Sequence, residues 1–133
     1  MATIMIKGHQ HEYSDSDVIT FAEGLIGLPR IRRAVVLSMN EFEPFCWLAP
    51  LDETETRFVV VDPKLIFDNY QPKFHSSASM DVQTYAIVTI ASDWKQTTIN
   101  LRAPILINPE DRTGSQQILT ETQYHFAERL PQD

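Results

Sequence analysis

The stretch from Thr98 to Asn108, TINLRAPILIN, constrains the fold more than any other part of the chain. In an extended backbone Ile99, Leu101, Ala103, Ile105 and Ile107 fall on one face, and Thr98, Asn100 and Arg102 on the other. That is the period-two signature of a half-buried strand. Pro104 has no N–H to give to a ladder, so the strand must meet an edge or a bulge there.

Similar short runs recur along the chain with turn residues between them: Ile4 to Lys7, Val18 to Phe21, Ala34 to Ser38, Phe45 to Leu48, Arg57 to Val61, Tyr85 to Ala91 and Gln116 to Thr120. Their β-branched and aromatic content and close spacing predict a mostly β fold: a small antiparallel β-barrel-like single domain over residues 1–133, with one or two short helical turns. Phe58 to Val61 and Ala86 to Ile90 are apolar almost without break, as expected of strands covered on both faces. Asp62-Pro63 has the chemistry of an N-cap followed by proline at the first helical position, which predicts a turn of helix within Lys64 to Asn69. Gly24 and Gly27 bracket Leu25-Ile26 and suit a turn with positive φ. Tyr70 to Thr84 reads as a surface loop, and Glu121 to Leu130 as either a short helix or an extended tail.

At 133 residues the chain can bury a core without disulfides. Its one cysteine, Cys46, lies between Phe45 and Trp47 and reads as a small core hydrophobe. No apolar run approaches the roughly 20 residues of a membrane span, and Met1 is not followed by a basic and then an apolar stretch. The expectation is a cytoplasmic monomer. A formal charge of -7 argues against phosphate-backbone contact and for a basic partner. Glu41, Glu43, Asp52, Glu53 and Glu55, with no Lys or Arg between Glu41 and Thr56, form the densest acidic stretch and are candidate partner contacts. Phe45, Trp47, Phe58, Phe67 and Tyr70 are core or core-rim candidates, and Tyr70 and Phe74 become candidate aromatic anchors if exposed, because aromatic residues are enriched at interface hot spots. Arg30, Arg32 and Arg33 suit a solvated turn or ion pairs with the chain's own acids.

Signals for catalysis are weak. There is no nucleophile elbow, phosphate-binding glycine motif or second histidine cluster. The alternative to a binding module is a small metal- or ligand-binding barrel, in which His9 and His11 would share a strand face with a carboxylate such as Glu12 as third ligand.

Several strings occur in an order that resembles the flagellar assembly factor FliW family: Phe21-x-x-Gly24-Leu25-Ile26-Gly27-Leu28-Pro29, Phe45-Cys46-Trp47-Leu48, Phe58-Val59-Val60-Val61-Asp62-Pro63 with Tyr70, Ala86-Ile87-Val88-Thr89-Ile90, Asn100 to Asn108, and Gly114 to Leu119. The resemblance implies a non-enzymatic cytoplasmic protein with a small β-barrel-like fold and no cofactor. It also implies two partners, flagellin and the translational regulator CsrA, with relief of CsrA repression of flagellin mRNA translation. An acidic module suits an encounter with a basic RNA-binding protein.

Overall fold

The computed structural model describes residues 2–53, 55–73 and 82–131. In chain order the strands are β1 (Ala2–Ile6), β2 (His9–Tyr13), β3 (Ile19–Phe21), β4 (Arg33–Ser38), β5 (Cys46–Pro50), β6 (Phe58–Val61), β7 (Gln83–Thr89), β8 (Thr98–Ile99), β9 (Ile105–Asn108), β10 (Thr113–Gln116) and β11 (Glu128–Arg129). Helical geometry among the described residues is limited to 3-10 turns at Asp15–Asp17, Asn40–Phe42, Pro63–Leu65 and Trp94–Gln96.

The predicted β-barrel is present. Strands β3, β4, β5, β6 and β7 pair consecutively, β7 pairs with β9, β9 with β10, and β10 returns to β3, closing a ring of seven strands. Every pairing in the ring is antiparallel except β10 against β3, which is parallel, with Thr113 opposite Thr20. Closure leaves the ring without a free edge to template association.

The strand expected over Thr98 to Asn108 is split by its proline. Ile99 lies opposite Val88 and Ile105 opposite Tyr85, so five residues, Asn100 to Pro104, oppose only Ala86 and Ile87 on β7. The side-chain oxygen of Asn100 holds this bulge by accepting from the N–H groups of Arg102 at 3.1 Å and Ala103 at 3.0 Å. Pro104 thus sits where no ladder donor is needed.

Three apolar clusters follow from the alternation. Ile19, Phe21, Ala34, Leu48, Val60, Ile105 and Ile107 fill the ring, closed by Leu25 and Ile31. Full burial of each large side chain contributes about 1.5–3 kcal/mol. On the outside, the β1–β2 hairpin lays Ile4 and Ile6 over Val35 and Ala49. The third cluster covers the outer face of β6 and β7 with Tyr70, Ile99, Leu101 and Leu119. Clusters therefore lie on both faces of Val60-Val61 and Ala86 to Val88, which is why those runs are apolar, whereas β7 turns polar toward its ends at Gln83, Thr84 and Thr89.

Local expectations hold at two turns. The Asp62 carboxylate accepts from the Lys64 N–H at 3.0 Å and starts the Pro63–Leu65 turn. Gly24 adopts φ +72° and Gly27 φ +79°. Leu25 and Leu28 exchange backbone hydrogen bonds across this turn, and a Cβ on Gly24 would lie 2.6 Å from Pro29 backbone atoms.

Three further expectations are decided by the structure. Tyr70 is not an exposed anchor: it is 2% exposed, and its hydroxyl donates to the Leu101 carbonyl at 2.7 Å. Its ring packs edge-on to Tyr124, so the aromatic belongs to the core, and burial pushes its hydroxyl pKa up. Of the two alternatives for the C-terminal segment the extended one holds, because β11 pairs with β8, placing Glu128 opposite Ile99. His9 to Tyr13 is a strand opposite Ala2–Ile6, which is the setting in which His9 and His11 share a face. Phe74 and most of the Tyr70 to Thr84 loop lie outside the described residues.

Candidate functional site

Strand β5 divides the acidic run into two groups at opposite ends, separated by roughly 16 Å of extended chain. Beyond Pro50, Asp52 accepts from the N–H groups of Arg32 at 2.8 Å and Arg33 at 2.9 Å, and the Arg33 Nε lies 3.7 Å away. The Arg32 N–H, followed by that of Arg33 and its guanidinium, holds this carboxyl below the usual carboxylate range. Glu53 pairs with Arg30 at 2.8 Å. The expectation that the arginine cluster serves the chain's own acids holds here. Asp52 and Glu53 fasten the start of β4 to the end of β5, and Glu55 stays exposed beyond them.

Before Cys46 the surroundings differ. Glu41 and Glu43 flank Phe42 on and beside the Asn40–Phe42 turn, are exposed, and have no ion pair among the described residues. Phe42 is 62% exposed and Trp94 51% exposed, and Ile90 is similarly open. Together with Phe45, Trp47, Val59 and Met39 they line a groove of about 540 Å³. Phe45 and Trp94 meet edge to face with ring centroids 5.9 Å apart, which fixes one wall. The Lys7 ammonium and the Arg57 guanidinium lie 5.5 Å and 5.8 Å from the Trp47 ring centroid.

A second hollow of about 720 Å³ adjoins the first and shares Lys7, Met39, Glu41, Phe42 and Trp47 with it. His9 and His11 line this second hollow, so the expectation that they share a strand face is met. Among the described residues no group of three or more His, Cys, Asp or Glu side chains could hold a metal ion. Cys46 points toward the barrel interior, where burial and then Glu43 raise its thiol pKa and keep it protonated.

The barrel end near the Gly24–Gly27 turn carries a smaller cleft of about 250 Å³, with Ile26, Leu28, Ile118 and Phe126 at its rim. Its polar groups are already committed. Gln116 accepts from the Ile26 N–H and donates to the Ala103 carbonyl, and the Arg102 guanidinium lies 5.4 Å over Phe126. The groove at the Cys46 end is the better candidate site, because it combines open aromatic surface with uncommitted charge.

A family model described as FliW protein matches residues 6–130. The chain belongs to the FliW family. Flagellar assembly factor FliW of Ruminiclostridium cellulolyticum is 33% identical over 119 residues, covering 83% of this chain and 80% of the relative. The FliW of Thermoanaerobacter pseudethanolicus is 34% identical over 122 residues, covering 85% and 81%. A crystal structure of the flagellar assembly factor FliW superimposes with a TM-score of 0.87 over 99% of both chains at 30% identity. No helix among the described residues is long and apolar enough to cross a membrane.

Within this FliW-family chain the strings that carried the resemblance are mostly barrel parts, and they include only the groove floor, through Phe45, Trp47, Val59 and Ile90. Phe42 and Trp94 were missed by sequence reasoning. A signal existed: each is a large aromatic placed among polar residues, in Asn40-Glu41-Phe42-Glu43 and Ser92-Asp93-Trp94-Lys95, where no strand periodicity calls for burial.

Proposed function

We propose that this chain is a non-enzymatic, cytoplasmic flagellar assembly factor that binds flagellin and the translational regulator CsrA. Holding CsrA would lift its repression of flagellin mRNA translation, and free flagellin would draw the factor away again. Family membership across residues 6–130 carries this reading. The net charge of -7 supports it, since an acidic surface speeds encounter with a basic RNA-binding protein and selects against acidic competitors. The partner contacts proposed from the acidic run are Glu41 and Glu43; Asp52 and Glu53 are held by arginines of the same chain.

The test is a calorimetric titration of the chain with purified flagellin and with purified CsrA, beside a mobility-shift assay of CsrA on flagellin leader RNA. Saturable binding of both proteins is expected. Adding the chain should free the RNA, and adding flagellin should restore the shift. Absence of binding to either protein, or RNA that stays shifted at saturating chain, would overturn the reading.

A further inference from the structure

We propose that the groove between Phe42 and Trp94 is the docking site for an amphipathic α-helix of a partner protein, one whose apolar stripe is flanked by lysine and arginine. The assignment rests on the reading of this chain as a protein-binding module, and it specifies the surface and the chemistry of what fills it.

The groove floor favours a helix. Phe45 and Trp47 lie on or beside β5, and Val59 on β6. Strand β5 is paired with β4 on one side and β6 on the other, and β6 is paired with β7. The backbone groups of the floor are therefore already bonded to neighbouring strands. An extended segment lying on this floor would find no ladder to join and would leave its own N–H and C=O groups unmatched against aromatic surface; the edge of β2 left unpaired among the described residues borders the second hollow and not this floor. A helix satisfies its backbone internally and presents only side chains. The dimensions agree: two open hollows of about 540 and 720 Å³ meet along Met39, Phe42 and Trp47, a trough rather than an enclosed small-molecule cavity. Trp and Phe side chains along such a trough accept the i, i+3/i+4 and i+7 anchors of a helix.

The sign of the partner's flanking charge follows from which groups stand at the Phe42 lip. Lys7 and Arg57 lie over the Trp47 ring and keep their charge there. Glu41 and Glu43, at the lip, have no ion pair among the described residues. Basic residues of the helix that face this lip therefore gain complementary charges, whereas acidic ones facing it meet repulsion.

The test uses fluorescein-labelled synthetic peptides titrated with the full chain and read by anisotropy at low and moderate salt. One peptide is an amphipathic helix with a leucine stripe and lysine flanks. A second replaces the lysines with glutamates, and a third carries central prolines. The lysine-flanked helix is expected to bind, with affinity falling as salt rises. The glutamate and proline peptides should bind about tenfold or more weakly. Phe42→Ala with Trp94→Ala should weaken the lysine peptide by a similar factor, with circular dichroism confirming an unchanged fold. Glu41→Lys with Glu43→Lys should reverse the preference between lysine and glutamate peptides. Leu65→Ser, at an exposed site away from the trough, should change nothing. Equal binding of all three peptides, no binding of the lysine peptide, or undiminished binding by the folded Phe42/Trp94 variant would overturn the proposal.

Flagellin and CsrA titrated against the same variants separate the two claims. Undiminished capture of both by the Phe42/Trp94 variant would sink the groove and leave the proposed function standing. Binding of the lysine peptide with no binding of either protein would do the reverse.

Discussion

At the Pro50 end of β5, Asp52 gathers two backbone N–H groups and a guanidinium, and Glu53 holds Arg30. At the Cys46 end, Glu41 and Glu43 stand in solvent on either side of an exposed phenylalanine. Carboxylates from one stretch of chain, with no Lys or Arg between them, serve folding at one end and remain available at the other. What separates them is the company the backbone brings. The Gly24–Pro29 turn delivers Arg30, Arg32 and Arg33 to the first pair, and the Asn40–Phe42 turn delivers only aromatic surface to the second. Density of charge in a sequence therefore overstates the interaction surface, because acids near unpaired N–H groups are claimed by the fold.

The sharpest challenge to this contrast is the turn that feeds the arginines. Gly24→Ala forces a Cβ to within 2.6 Å of the Pro29 backbone at a φ of +72°, so a loss of roughly 2–3 kcal/mol in urea unfolding is expected. Destabilisation below about 0.5 kcal/mol would mean the turn is dispensable to that end. Asp52→Ala comes next, at about 1 kcal/mol, a charge-assisted cap lost from a largely open site.

The same carboxylate makes a pH signature. Its folded value is lowered, first by the Arg32 N–H, so its stabilisation is present above the ordinary value of 3.8 and disappears as pH falls through the lower folded value. In acid unfolding the wild type should lose stability over that interval faster than Asp52→Asn does, and parallel curves would remove Asp52 from the folding account. At the other end, Glu41→Gln with Glu43→Gln should leave unfolding within about 0.5 kcal/mol of wild type. The same pair should flatten the salt dependence of partner binding more than Glu55→Gln does, measured by titration at two ionic strengths. The smallest effect belongs to Arg30→Ala, whose pair with Glu53 is exposed on the arginine side and should contribute less than about 0.5 kcal/mol to thermal stability.

Much of the barrel was legible before its structure. β-Branched and aromatic runs between turn residues located β3 to β7 within a residue or two, and Pro104 announced the bulge that Asn100 secures. The N-cap at Asp62 and the glycine turn were equally local matters, settled by φ preference and a missing donor. What escaped depended on contacts distant in sequence. Nothing in Thr113 to Gln116 says that it runs parallel to Ile19–Phe21, and nothing in Glu128-Arg129 marks two residues of strand until Thr98-Ile99 lies beside them. Tyr70 could be read either as core or as an exposed anchor because the partners that decide it, Leu101 and Tyr124, lie far along the chain. The groove was half visible: its acids stood out by density, while Phe42 and Trp94 needed the folded surface to show that nothing covers them.

The parallel seam between β3 and β10 also sets a timetable. On a ribosome, the strand that seals the side of the ring formed by Ile19 and Phe21, with Gly114 fitted against the Phe21 ring, arrives more than ninety residues after them. Until then the nascent polypeptide carries an open, oily sheet edge with no local substitute, and such long-range closure is intrinsically slow. The apolar lining of the ring thus stays open to water through that whole interval of synthesis.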